Sequence, residues 1–434
     1  MAVEAAMLRG RDADRDAQAA NREAPAGRVA RRLFVHIGGF DPEPPERVYR
    51  RFARETGRFR RAWSVLTVMT EPEHRPDGAD WTVETTGRNW RVTTRVRLFR
   101  WDDLLDAYAA APWWKRMGRG MLACLDFVAG GALHRYLRTA WRYALFFLYP
   151  PLTVLAFAVA AGFGGAALGR ATDSALAGVL LGAAVFGALL YGPGRWFKLP
   201  LAFDDWTFAS AYVRVPPQVL ADRLDRLAAD LVAATRDGEF DEIVVLGHSL
   251  GAVLAIDAID RALALAPDLG RTGPPVGLVT VGSSVLKIAL HGRAVRFRAA
   301  LARVSVADGP FWVEYQALSD VMNFYKTDPV GDAGLVPSGR PLVRVVRISR
   351  MLDPAYYRRI WGRFFRLHCQ FVRGNDRRTA YDYFMLACGP LAVRETACLP
   401  DGPASAFATD GSLIERAPAN AAADVAGSEM MLAR

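Results

Sequence analysis

Lysine is almost missing from this chain. Lys115, Lys198, Lys287 and Lys326 stand among 55 basic residues, so nearly all of the +10 net charge is arginine. Cysteine is scarce too. Cys124, Cys369, Cys388 and Cys398 show no CxxC or metal-type spacing, which excludes a disulfide framework and suits a reducing compartment. No phosphate loop, dinucleotide fingerprint or HExxH pair occurs, so no cofactor and no metal is expected. The arginines have no recognition motif or basic–aromatic platform around them, and nucleic acid is not expected as a partner. In an alanine-rich chain such a balance is a composition bias, one that also suits a domain held near anionic lipid headgroups.

Charge of either sign is missing from two long stretches. None occurs from Tyr143 to Gly169 or from Ser174 to Gly194, and Arg170 to Asp173 is the polar break between them. At ~1.5 Å per residue each run can cross a hydrocarbon core of ~30 Å. Pro150 and Pro151 are expected at the interface end of the first span, with Trp141, Tyr143 and Tyr149 as an aromatic belt mirrored by Tyr191 and Trp196. Gly165 and Gly169, then Gly178 and Gly182, put small residues at four-residue spacing, which lets two helices pack closely in lipid. Arg135, Arg138 and Arg142 precede the pair, and Arg195 and Lys198 follow it. By the positive-inside rule both large flanking parts face the cytoplasm and only the turn crosses. The expectation is a two-pass protein of the inner or plasma membrane, with the bilayer as partner; a buried helical hairpin or a re-entrant loop is the alternative.

What is present in greatest detail lies at Ile243 to Asp257, IVVLGHSLGAVLAID. An apolar, β-branched run enters Gly247-His248-Ser249-Leu250-Gly251 and leaves as a helical Ala/Leu/Ile pattern. That predicts strand, sharp turn and helix, with a serine at the apex. The two glycines fall where a side chain would clash with the neighbouring turn, and the helix aims its N-terminal N–H groups back at the serine.

This stretch resembles the nucleophile elbow of the α/β-hydrolase superfamily, in particular its lipase and esterase branches, where GHSLG is common. The resemblance runs from about Arg32 to about Gly389, interrupted by the charge-free pair. It implies a mostly parallel α/β sheet flanked by helices, and a serine hydrolase with a Ser–Asp/Glu–His triad in that chain order. Ser249 is then the nucleophile. Of the histidines, His36, His74, His134, His248, His291 and His368, only His368 lies far enough downstream to follow an acid, and it is the expected base. Phe311 to Tyr315 reads as a late strand. The loop after it is similar to the family's aromatic strand, short loop and Asp, which makes Asp320 the first choice for the acid. Asp328 is the alternative, although Asp-Pro is an ordinary turn starter. Upstream, Arg32-Leu-Phe-Val-His-Ile-Gly-Gly-Phe40 ends in the glycine pair whose loop, in the family, donates to the oxyanion. Leu250 and Gly38 are the implied donors, with Gly39 a further choice; the departure is Ile37, where a glycine is usual. His36 and His248 are expected to be structural, His248 pointing away from the serine.

Strands are also expected over Ser64–Met69, Trp81–Thr86, Trp90–Phe99, Val276–Gly282 and Leu342–Ile348, and a scaffold helix over Val219–Ala234. The expected organisation is a disordered tail over 1–28 without a signal-peptide core, and the first part of the α/β domain over 29–142. The transmembrane hairpin follows over 143–194, then the catalytic part over 195–395 and a disordered Pro/Ala/Asp/Ser-rich tail over 396–434. The function so implied is membrane-anchored hydrolysis of a carboxylic, lipidic acyl ester through an acyl-enzyme. A thioesterase, peptidase or acyltransferase uses the same set, and a catalytically silent, membrane-tethered interaction module is the alternative of another class.

Overall fold

A computed structural model of the chain describes residues 28–414 except residue 42. The expected N-terminal tail thus lies, but for Arg28, outside the described residues. Nine strands form one sheet: β1 (Arg31–Ile37), β2 (Leu66–Met69), β3 (Glu73–Arg75), β4 (Gly78–Thr86), β5 (Arg91–Phe99), β6 (Glu242–His248), β7 (Val276–Val281), β8 (Phe311–Ala317) and β9 (Leu342–Val346). Their order is β2-β4-β5-β1-β6-β7-β8-β9, with β3 on β4. β5 to β9 along this path run parallel, and β2, β3 and β4 make an antiparallel edge. The principal helices are α1 (Pro45–Trp63), α2 (Trp113–Ala129), α3 (Ala132–Thr139), α4 (Trp141–Thr172), α5 (Ala175–Tyr191), α6 (Leu199–Arg214), α7 (Gln218–Arg236), α8 (Gly251–Leu265), α9 (Val295–Val306), α10 (Phe364–His368), α11 (Tyr383–Cys388) and α12 (Val393–Cys398).

The central strands are apolar on both faces because both are covered. On β1, Leu33, Val35 and Ile37 enter a core shared with α6, α7 and α8, whereas Phe34 enters a second core with α1 and α11. Burial of each such side chain contributes about 1.5–3 kcal/mol. β6 is buried along its whole length, which is why its centre, Ile243 to Leu246, is a continuous apolar run. β3, Glu-His-Arg, is fully exposed and offers no such pattern.

Of the tail expected to be disordered over 396–434, residues 396–414 are packed on the domain, and the rest lie outside the described residues. Arg344 Nε donates to Ala397 O at 2.7 Å, Phe407 meets Trp63 and Trp90 edge-on, at 5.5 and 5.9 Å between ring centroids, and Trp90 Nε1 donates to Gly411 O at 3.0 Å. Phe407 and Leu413 are anchors too widely spaced to register as a helix or strand pattern.

Helices α4 and α5 are long and apolar enough to cross a membrane. Only 28% and 11% of their apolar windows are buried, against what a core hairpin would show. Leu155, Phe163, Leu176 and Val179 are among the side chains left bare. Four glycines set the contact between the two helices. A Cβ on Gly165 would lie 2.5 Å from Gly178 O, and one on Gly178 would lie 2.6 Å from Gly165 O. The boundary expected at Tyr143 falls inside the soluble core. At ~1.5 Å per residue the 32 residues of α4 exceed a bilayer core by some 15–20 Å. Its first turns take up the excess: Tyr143, Ala144 and Phe147 are buried among domain side chains, and Tyr143 stacks on Phe324 at 4.0 Å. The Tyr149 hydroxyl donates to Phe197 O and ties the two feet of the hairpin together.

The glycine contact makes a differential prediction. Gly178→Leu forces the helices apart and should lower thermal stability in detergent by about 1–3 kcal/mol. Gly187→Leu, where nothing lies within 4 Å of an added Cβ, should leave the melting temperature unchanged. Equal effects would mean that the helices do not pack through these glycines.

Candidate active site

Ser249 stands between β6 and α8 at φ 56°, a left-handed conformation that costs a non-glycine residue about 1–3 kcal/mol. Its backbone is pinned on both sides. Its N–H donates to Val281 O at 3.0 Å, and its carbonyl accepts from Ala252 N and Ser284 N, each at 3.1 Å. The two elbow glycines are steric necessities. A Cβ on Gly247 would sit 2.5 Å from Ala252 Cα, and one on Gly251 would sit 2.2 Å from Ile37 O. Leu250 precedes the first turn of α8, so its N–H and the positive end of that helix lie beside the serine.

The structure brings Asp320 and His368 together from residues 48 apart in sequence: the Asp320 carboxylate accepts from His368 Nδ1 at 2.7 Å. Asp320 follows β8 in a turn fixed by its own Oδ1, which accepts from Met322 N at 2.9 Å, and by Asn323, whose Nδ2 donates to Ala317 O at 2.8 Å. Both members of the pair are buried. With its Nδ1 proton held by the carboxylate, the imidazole presents Nε2 as an acceptor, and that buried atom has no partner among the described residues. His368 and Ser249 line one cavity of about 130 Å3. Gly282, at φ 52°, leaves room for the ring: a Cβ there would lie 3.2 Å from His368 Cε1. Asp328 is elsewhere. It is exposed and closes a turn, accepting from Val330 N and donating its own N–H to Asp332, each at 2.9 Å.

His36 and His248 line the same cavity, contrary to the expectation that His248 turns away. His248 stacks beside His368 at 4.6 Å, and its Nε2 donates to the His368 carbonyl at 3.2 Å. His36 Nδ1 accepts from the Tyr383 hydroxyl at 3.2 Å. Burial, followed by the nearby Arg51, pushes His36 down to about 3. Burial, then the neighbouring His368 and His36, holds His248 well below the usual histidine range. Both rings are therefore neutral at physiological pH. Of these three imidazoles only that of His368 is bonded to a carboxylate that would support a positive charge.

The glycine turn after β1 closes the other side. Trp101 Nε1 donates to Gly38 O at 3.0 Å, and Gly39 O accepts from Asp41 N at 2.8 Å. Gly39 is the nearer of the pair to the serine: a Cβ on it would lie 2.8 Å from Ser249 Cβ and 3.4 Å from Oγ. Gly38 lines the cavity with open space around it.

Sequence reasoning missed the roof. Phe146 of α4, Lys198, Leu201 and Asp205 at the start of α6, and Phe365 of α10 cover the cavity. Phe146 sits within the aromatic run before Pro150, where a membrane-interface belt accounts for the same residues. Trp101 and Gly282 were missed as well; a glycine directly after an apolar strand was the one available signal for the second. Comparisons with protein-family models, curated proteins and solved structures find no match for this chain, so any reading of the site rests on its own residues and geometry.

The strain at Ser249 can be measured. Ser249→Gly should raise unfolding stability by about 1 kcal/mol, because glycine adopts positive φ freely. Ser249→Ala keeps the Cβ and should give no such gain in the same thermal or denaturant titration. A loss of stability in the glycine variant would show that the elbow is unstrained.

Proposed function

We propose that this chain is a membrane-anchored serine hydrolase that cleaves carboxylic acyl esters, an α/β-hydrolase of the lipase and esterase kind. The observation that carries the reading is the shared cavity. It joins a serine on a strained turn, beside a helix N-terminus, to a histidine whose Nδ1 is held by a buried aspartate and whose Nε2 is unpartnered. In the reaction Ser249 Oγ attacks the ester carbonyl carbon and gives its proton to His368 Nε2. Asp320 orients the imidazole and stabilises its positive charge. The tetrahedral oxyanion lies against the N–H of Leu250 and those of the Gly38–Gly39 turn. Collapse expels the alcohol, protonated by His368, and leaves an acyl group on Ser249. Water, deprotonated by His368, attacks that acyl group and restores the free serine. Thioesters and other acyl acceptors use the same steps, but a lipidic ester is favoured because Phe146 of the apolar helix α4 lines the cavity beside Ser249. A cytoplasmic catalytic domain is part of this reading, supported by the positive-inside rule applied to the arginines that flank the hairpin.

A fluorophosphonate probe applied to the full chain in detergent should label the wild type and not Ser249→Ala. Asp320→Asn should slow labelling and ester turnover by about 10^3–10^4-fold with the fold intact by circular dichroism, whereas Asp328→Asn should change them little. Labelling that persists in Ser249→Ala would sink the proposal; reversed aspartate effects would move the acid to Asp328.

A further inference from the structure

A second, larger cavity of about 1120 Å3 adjoins the site, sharing Asp41, Glu43, Phe146, Lys198, Phe365 and Cys369 with it. Its walls come from both feet of the hairpin, Trp141 to Tyr149 on one side and Trp196 to Lys198 on the other, and from the segment Gly362 to Arg373 that carries α10. Large apolar side chains are bare around it: Trp196 is 79% exposed, Trp361 72%, Leu145 54% and Phe364 50%. Such a rim, continuous with helices of spanning length, belongs at a lipid–water interface, where tryptophan and phenylalanine lie at headgroup depth.

Along this apolar rim the charge is one-sided, with Lys198, Arg363 and Arg366 exposed at the cavity mouth. Arg142, Lys198, Arg363 and Arg366 all line the cavity. Among the described residues none of the four has an ion pair; Arg142 and Lys198 lie over the rings of Trp141 and Phe365, and Arg366 donates to the Tyr356 hydroxyl at 2.9 Å. Of the facing carboxylates, Glu43 is held by Arg51, which leaves Asp41 alone opposite the four cations; Arg373, at the back, is paired with Glu55. The buried cations of the domain are matched, Arg32 by Glu242, Arg223 by Asp103 and Lys287 by Asp205. Unmatched guanidinium groups in an apolar vestibule suit a phosphodiester, whose charge is shared by oxygens that the planar fork can grip in pairs.

We propose that this vestibule admits an anionic acyl phospholipid sideways from the bilayer, its phosphate resting on Arg142, Lys198, Arg363 and Arg366 while a neighbouring acyl ester passes Phe146 and Phe365 to reach Ser249. The inference rests on the reading of Ser249 as an ester-cleaving nucleophile and adds the class of its substrate.

The test uses the full chain in neutral-detergent micelles carrying phosphatidylglycerol or phosphatidylcholine of identical acyl chains. Wild type should favour the anionic lipid in kcat/KM by about tenfold or more. R363E/R366E should bring the ratio to about one or below, and R363K/R366K, which keeps the charge, should retain most of the preference. A wild-type ratio near one, or a preference that survives charge reversal, overturns the proposal. Binding of spin-labelled forms of the same two lipids to Ser249→Ala separates the two readings. If wild type cleaves neither lipid and takes up no fluorophosphonate, the hydrolase reading fails, and the vestibule stands if the anionic lipid is still bound preferentially and falls if it is not; if it is labelled yet cleaves neither lipid, the phospholipid proposal alone falls.

Discussion

The close approach of the α8 N-terminus to the end of β1 is the contact on which the site depends. Gly251 lies so near the carbonyls of Ile37 and Gly38 that any Cβ would collide with both. That contact seats the helix directly on the sheet and forces Ser249 into its left-handed turn. It also brings the Gly38–Gly39 turn against the serine side chain. The strain is tolerable because it is fixed by hydrogen bonds on both sides and by two cores of buried side chains above and below the central strands. A side chain at Gly251 would disturb the serine, the helix end and the Gly38–Gly39 turn together.

A second constraint is electrostatic. Three imidazoles, His36, His248 and His368, meet in one small cavity beside Arg51, and they cannot all carry charge there. Burial keeps His36 and His248 neutral, and of the three rings only that of His368 is bonded to a carboxylate, Asp320. His248 packs its ring beside His368 and its Nε2 holds the His368 carbonyl, so His368 is fixed in part from the turn that carries Ser249. The helix pair adds a third element: α4 begins inside the domain core, where Tyr143, Ala144 and Phe147 are buried, and its Phe146 lines the cavity.

Much of this was legible from residue patterns, for physical reasons. Strands buried on both faces must be β-branched and apolar, which marks β1, β6 and β7. The elbow needs glycine at two fixed offsets from the serine. Two charge-free runs with glycines four apart can hardly be anything but paired apolar helices. Asp320 was separable from Asp328 because an Asp-Pro turn has its own use for the carboxylate, and Asp328 is spent on such a turn. Other features are set by tertiary packing and leave no local signature. Trp101 holding Gly38, the packing of Phe407 between two tryptophans and the descent of Phe146 into the cavity each join segments far apart in sequence. His248 misled because its neighbour Ser249 is at positive φ; the turn carries the histidine ring beneath the cavity and against His368.

The most direct measurement is the structure of the full chain after reaction with a phosphonate. The account predicts phosphorus bonded to Ser249 Oγ and the phosphonyl oxygen about 3 Å from the Leu250 N–H and from an N–H of the Gly38–Gly39 turn. It also predicts His368 Nε2 facing the adduct with its bond to Asp320 kept. A phosphonyl oxygen turned to solvent, or an adduct on any other residue, would contradict it.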